Sequence, residues 1–193
     1  EGRPRIHTYL DIVERLLSYI RRGKRVTFVS YGHPSVFCFP TLEVSKRCRE
    51  EGFSFKVFPA VSSEDCLFAD LGVDPGLAGC QSYEATDFLL RQREFSTSSP
   101  LILWQVGVVG IINYTAKYSP PSGLKVLVEF LSRYYPIEHN VIVYEASQHP
   151  VYDSMIQEIP LKKLSDFPIT PLATLYIPPA TKPKINKKMV HKL

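Results

Sequence analysis

The sequence predicts an α/β fold, a sandwich with helices on both faces, on three observations. A β-branched and aromatic run, Arg25-Val-Thr-Phe-Val-Ser-Tyr31, ends at Gly32-His33-Pro34, and a helical pattern begins about three residues later. Further apolar runs of strand length recur along the chain and alternate with stretches of helical periodicity. The turn at 32–37 also sits where open α/β sheets leave backbone amides free at the carboxyl end of a strand. It is the first candidate site, although a plain strand-to-helix connection has the same turn chemistry.

Taken in order, Ile6, Leu10, Val13, Leu16, Leu17 and Ile20 recur at helical spacing and predict a helix over 6–20. Arg21, Arg22 and Gly23 stop it with positive charge and a glycine. The strand 25–31 follows. Pro40 then suits the first turn of a helix over about 40–51, closed by Gly52. A strand at 55–58 leads into Pro59-Ala-Val-Ser-Ser-Glu-Asp65, where Ser62 and Asp65 have capping-box spacing for a helix ending near Leu71. The Gly72–Gly79 connection marks a domain boundary, which divides the chain into a 1–79 lobe, an 80–180 lobe and a basic tail over 181–193. In the second lobe we expect a helical or mixed stretch at 83–93, strands at 101–106, 141–144 and 172–177, and a helix at 123–134.

Composition excludes several classes. At 193 residues, 45% apolar and 22% charged, the chain is an ordinary globular protein. No apolar run approaches the roughly 18 residues of a membrane span, so no membrane partner is expected. Cys38, Cys48, Cys66 and Cys80 show neither Cys-x-x-Cys pairing nor a metal-like grouping with histidine. They read as small core residues of a reduced, cytoplasmic protein, with no metal. The net charge of +4 is carried by the tail: five lysines lie within 181–193, leaving 18 basic against 19 acidic groups elsewhere. Nucleic-acid binders carry basic charge on a folded face, so no nucleic-acid partner is expected.

Five stretches occur in a fixed order: Tyr31-Gly-His-Pro-Ser-Val-Phe37, Pro59-Ala-Val-Ser-Ser-Glu-Asp-Cys-Leu-Phe-Ala-Asp70, Tyr83-Glu-Ala-Thr-Asp-Phe88, Gln105-Val-Gly107 and Tyr176-Ile-Pro-Pro179. Together they closely resemble the borosin peptide backbone α-N-methyltransferases of the tetrapyrrole-methylase superfamily, over roughly residues 2 to 180. His33, where tetrapyrrole methylases carry aspartate, favours the peptide-modifying branch. The resemblance implies a two-lobed fold with mixed sheets. It also implies S-adenosylmethionine in a cleft between the lobes and S-adenosylhomocysteine as product. Tyr31, His33, Val36, Phe37 and Ser62 would contribute from the first lobe, and Gln105, Tyr144, Ala173 and Thr174 from the second. On the residues alone Val36, Phe37 and Ala173 serve equally well as core, and Ser62 as a helix cap. Gln105, ending an apolar strand, reads as a polar group in need of a partner.

Methylating a backbone amide requires removing its proton and stabilising charge on the imidate oxygen. Arg5 and Tyr9 stand four apart and share a helix face. A guanidinium beside a phenol favours the phenolate. An amide about five units less acidic than tyrosine still leaves a mismatch of roughly 7 kcal/mol, so Arg5 would have to stabilise the imidate. The resemblance makes these two the catalytic pair; an exposed surface pair is the alternative. His7 receives no role, His139 and His149 read as surface loop residues, and Tyr118, Tyr134 and Tyr135 as packing or peptide contacts.

Two departures from the pattern shape the expectation. The superfamily's first strand and glycine-rich turn are missing from the sequence as it stands, and no long C-terminal substrate extension follows Pro179. A split-type enzyme is therefore expected, a homodimer acting on a precursor peptide supplied in trans. A tetrapyrrole C-methyltransferase and a non-catalytic S-adenosylmethionine- or peptide-binding module are the alternatives.

Overall fold

The computed structural model describes residues 3–111, 122–149 and 151–193. The chain divides into two compact units, one running to Gly72 and the other beginning at Val73.

The first unit contains helices α1 (Arg5–Arg21), α2 (Phe39–Glu50) and α3 (Ser63–Leu71). The apolar stripe of α1 buries Val13 and Leu17 against Val44 and Cys48 of α2, with Leu16, Ile20, Phe39 and Phe53 around them. Pro40 falls in the first turn of α2, where a missing N–H costs nothing. Across the helix pair, Arg21 binds Glu51 and Glu14, while Arg47 binds Glu14 and Glu43. The Arg21 hydrogen bond holds the Glu51 carboxyl below its usual range. This network is solvated, so it orients the helices more than it stabilises them.

The strands expected at 25–31 and 55–58 are not formed. Residues 24–30 and 53–62 run without helix, turn or bend. Among the described residues, no backbone group of 25–31 or 54–61 makes a backbone hydrogen bond. The local sequence is strand-forming, but a strand exists only with a neighbour to pair with.

The second unit is built on one mixed sheet. It contains α4 (Pro75–Ala78), β1 (Gln81–Glu84), α5 (Ala85–Leu90), β2 (Leu101–Trp104), α6 (Gly123–Leu131), β3 (Asn140–Glu145), β4 (Met155–Pro160), β5 (Thr174–Ile177) and α7 (Lys187–Val190), with short 3-10 turns at Val106–Val108 and Leu161–Asp166. The strand order is β1-β2-β5-β3-β4. Only β1 and β2 run parallel; the other neighbours are antiparallel. Leu101, Leu103, Val141, Val143, Leu175 and Ile177 point to one face and pack with Phe88, Leu124, Leu127, Leu131, Leu161 and Leu164. Period-2 alternation sends Ile102, Trp104, Tyr144, Thr174 and Tyr176 to the other face, where all five are also buried.

The stretch expected to be helical or mixed from Tyr83 is a strand that turns into α5 at Ala85. Glu84 caps this helix by accepting from the Thr86 and Asp87 amides. Strand β4 was not anticipated: it is an edge strand with exposed residues at 156–158, so its alternation is weak. The helix expected to 134 ends at Leu131. Residues 172 and 173 are not part of the last strand, because the Ala173 carbonyl accepts from the Val106 amide instead. Only Cys48 of the four cysteines is fully buried; the others are half-buried, and none of the four forms a disulfide among the described residues. No helix among the described residues is long and apolar enough to cross a membrane, and no group of His, Cys, Asp or Glu among them could hold a metal.

Candidate active site

In the first unit the turn after Ser30 exposes Tyr31, which is 80% accessible, and bends at Gly32 with φ of +71°. A side chain at 32 would be strained in this left-handed backbone. His33 Nδ1 accepts from the Ser35 amide at 3.2 Å and lies 3.3 Å from its hydroxyl. Val36 is half-buried and Phe37 is 52% exposed. Phe37 has φ of +50°, an unfavourable conformation for a residue with a Cβ. Strain of that kind concentrates at ligand sites.

Ser62 has the capping role that its spacing allows. Its hydroxyl accepts from the Asp65 amide at 3.2 Å and donates to Asp65 Oδ2 at 2.6 Å, while its own amide donates to the same oxygen at 2.7 Å. These bonds, the Ser62 hydroxyl first and the charge of His33 after it, hold the Asp65 carboxyl below its ordinary range. With its proton committed to Asp65, the Ser62 hydroxyl has only lone-pair capacity left for a ligand. The tie from His33 through Asp65 to Ser62 had no signal beyond the capping box.

Arg5 and Tyr9 lie one turn apart on α1, both half-buried. The Tyr9 ring packs against Phe39 at the start of α2, with centroids 6.1 Å apart. That contact sets Tyr9 beside the helix into which the 32–37 turn runs. No hydrogen bond joins Arg5 to Tyr9 among the described residues.

In the second unit four expected residues converge where β2, β3 and β5 meet. Gln105 directly follows β2, with its side chain exposed and φ of +57°. The expectation of a buried amide in search of a partner is therefore corrected: the left-handed turn throws the side chain outward. The next amide, Val106, donates to the Ala173 carbonyl at 3.2 Å. Tyr144 pairs with Thr174 across the ladder, and Tyr144, Ala173 and Thr174 are all buried. Gly107 is required here, since a Cβ would meet the Thr170 carbonyl oxygen at 1.8 Å. Thr170 also donates through its hydroxyl to Glu145. Neither Thr170 nor Glu145 stood out in the sequence, because only the fold brings them to the 105–108 turn.

Other expectations sort simply. His139 is half-buried, lies against Tyr135, and has Nε2 at 2.9 Å from the Pro178 carbonyl, so it is a structural residue. His149 stacks loosely on Tyr152 in an exposed loop. Tyr135 is core and Tyr134 half-exposed. Tyr118 lies outside the described residues.

Comparison with known proteins agrees with the fold and the motifs. Residues 2–149 match the family described as Tetrapyrrole (Corrin/Porphyrin) Methylases, and the chain belongs to it. The methyltransferase/gymnopeptide precursor protein of Gymnopus fusipes is 39% identical over 182 residues, which is 92% of this chain and 43% of that protein. The methyltransferase/type III borosin precursor of Anomoporia bombycina is also 39% identical, over 100% of this chain and 23% of that protein. The methyltransferase/omphalotin A precursor of Omphalotus olearius is 37% identical, over 100% and 47%. The resemblance carried by the five motifs is thus matched by borosin relatives, of whose length this chain spans less than half. Among solved structures, the methyltransferase CobJ superposes with a TM-score of 0.63 at 15% identity, covering 90% of this chain and 74% of that one. Uroporphyrin-III C-methyltransferase of Thermus thermophilus, in complex with S-adenosylhomocysteine, gives 0.61 at 18% identity, covering 87% and 72%. The tetrapyrrole-methylase fold, mixed α/β with a five-stranded mixed sheet, is therefore the fold of this chain.

Proposed function

We propose that the protein is an S-adenosylmethionine-dependent methyltransferase that N-methylates backbone amides of a precursor peptide supplied in trans. What carries the reading is the position of Tyr9 against Phe39, with Arg5 one turn away, directly after the strained 32–37 turn. The borosin relatives, whose names join a methyltransferase to a cyclic-peptide precursor, support the peptide substrate.

The polar and aromatic groups at the candidate positions suit the cofactor. Tyr31, His33, Val36 and Phe37 would hold it from the first unit, and Gln105, Tyr144, Ala173 and Thr174 from the second; the backbone at Phe37 and Gln105 is already set in the conformation that presents them. Ser62 would act through a lone pair or by fixing the loop. The cofactor supplies an electrophilic methyl on a sulfonium sulfur. Tyr9 takes the amide proton, and Arg5 stabilises negative charge on the substrate carbonyl oxygen, making the nitrogen nucleophilic. Arg5 has no ion pair among the described residues, so its charge is not already neutralised. The working form would be a cytoplasmic homodimer.

Tyr9→Phe should bind S-adenosylmethionine with unchanged affinity by calorimetry yet lose peptide methylation by at least about a hundredfold, the scale of a lost general base. Turnover close to the unmodified enzyme would remove Tyr9 from the mechanism. A tetrapyrrole C-methyltransferase is the second reading, favoured by the solved neighbours and opposed by His33 and the Arg5–Tyr9 pair. Methylation of uroporphyrinogen III, with none on peptide, would establish it.

A further inference from the structure

In the second unit, Thr170, Pro171, Leu172 and Ala173 form a turn that leads directly into β5. The Ala173 amide donates to the Thr170 carbonyl at 3.2 Å, and the Leu172 amide donates to the Thr170 hydroxyl at 3.2 Å. A hydroxyl residue in first place and proline in second suit such a turn. β5 lies between β2 and β3 in the sheet, and the turn is fastened toward both. On the β2 side, the Ala173 carbonyl accepts from the Val106 amide. There too, the Thr170 carbonyl oxygen lies 1.8 Å from where a Cβ on Gly107 would stand. On the β3 side, the Thr170 hydroxyl donates to the Glu145 carboxylate. A hydroxyl has one proton, so this bond commits it, while a lone pair serves Leu172. Among the described residues nothing else engages that carboxylate through a hydrogen bond or ion pair.

Each anchor stands beside a candidate cofactor position: Val106 follows Gln105, Glu145 follows Tyr144, and Ala173 and Thr174 close the turn. We propose that Glu145 is a positioning residue for cofactor binding. It holds the 170–173 turn through the Thr170 hydroxyl, and thereby sets the Ala173 carbonyl and the Gln105 backbone. The inference rests on the reading of Gln105, Tyr144, Ala173 and Thr174 as cofactor positions. Thr170 is exposed and Glu145 half-buried. Water competes for an exposed bond, so its loss costs the fold little. Its contribution is direction, because a hydroxyl donating to a carboxylate is charge-assisted and well aligned. Residues 168–172 belong to no helix or strand, so without Glu145 the turn is fastened on the β2 side alone. Groups that orient a binding residue from behind are those whose loss lowers affinity while the fold persists.

Calorimetric titration with S-adenosylmethionine, paired with urea unfolding, tests the assignment. Glu145→Ala and Thr170→Val are each expected to weaken binding about tenfold, the scale of a lost hydrogen bond to a charged group. The double variant should bind no more weakly than either single one, because both changes break the same bond. Glu145→Gln still accepts and Thr170→Ser still donates, so both should bind within about threefold of the unmodified protein. The urea midpoints of the variants should stay close to that of the unmodified protein. Unchanged affinity in Glu145→Ala overturns the proposal. So does an equal loss in Glu145→Gln, which makes the charge and not the hydrogen bond the cause, and so do additive losses in the double variant. A lowered urea midpoint with affinity kept assigns the pair to the fold alone and overturns it too. Should Glu145→Ala fail to fold, Thr170→Val against Thr170→Ser decides by the same comparison. Failure of the unmodified protein to bind S-adenosylmethionine overturns the cofactor reading itself, and the role of Glu145 with it.

Discussion

At the scale of single residues, buried hydroxyls give the sharpest stability predictions. Tyr135 is 1% exposed, and its hydroxyl has no partner among the described residues. Burial pushes its phenol up to about 12. A folded pKa raised above the unfolded one contributes stability that is complete below pH 10 and disappears as pH rises toward 12. Tyr135→Phe should therefore be neutral or stabilising at pH 7, because it removes an unpaired polar group. It should also unfold at higher pH in an alkaline titration followed by circular dichroism. Ser62→Ala should cost about 1 kcal/mol in urea unfolding through loss of the α3 cap. Asp65 has the opposite sign: its depressed carboxyl contributes stability at neutral pH that is lost as pH falls below about 4. The Ser62 deficit should accordingly shrink in acid. The capping box was legible because three-residue spacing encodes it. The left-handed backbone at Phe37 and Gln105 was not, since neither side chain signals a positive φ.

At the scale of elements, helices α1, α2 and α3 could be read from the sequence to within a residue or two, because caps and a 3.6-residue stripe are local signals. Strands were harder. Residues 101–104, 141–144 and 174–177 were legible as apolar runs because both sheet faces are buried. Gln81–Glu84 carries no such run, and 155–160 is an edge. Residues 25–31 failed in the other direction, with correct propensity but no neighbour to pair with. The 105–108 turn is the element that joins fold to site in the second unit. Gly107→Ala must displace the Thr170 backbone, not a flexible side chain tip. It should destabilise the protein by more than about 2 kcal/mol in urea unfolding. It should also weaken S-adenosylmethionine binding by disturbing Gln105 and the Val106–Ala173 hydrogen bond.

For the whole molecule, the candidate residues fall into two groups, one in each unit, and each group is locally coherent. The 32–37 turn, Ser62, Arg5 and Tyr9 belong to the first unit; Gln105, Tyr144, Ala173 and Thr174 meet in the second. The motifs could be read as a set because their order survives along the chain, while the hydrogen bonds linking them exist only in three dimensions. The chemistry then turns on whether a peptide amide can be made nucleophilic by a phenol and a guanidinium. The most direct measurement is mass spectrometry of a borosin-type precursor peptide incubated with the protein and S-adenosylmethionine, with fragmentation to locate each modification. We predict mass gains of one methyl at a time, placed on backbone nitrogens and absent with Arg5→Ala. Methyl groups on side chains, or none on the peptide while a porphyrin precursor is methylated, would contradict it.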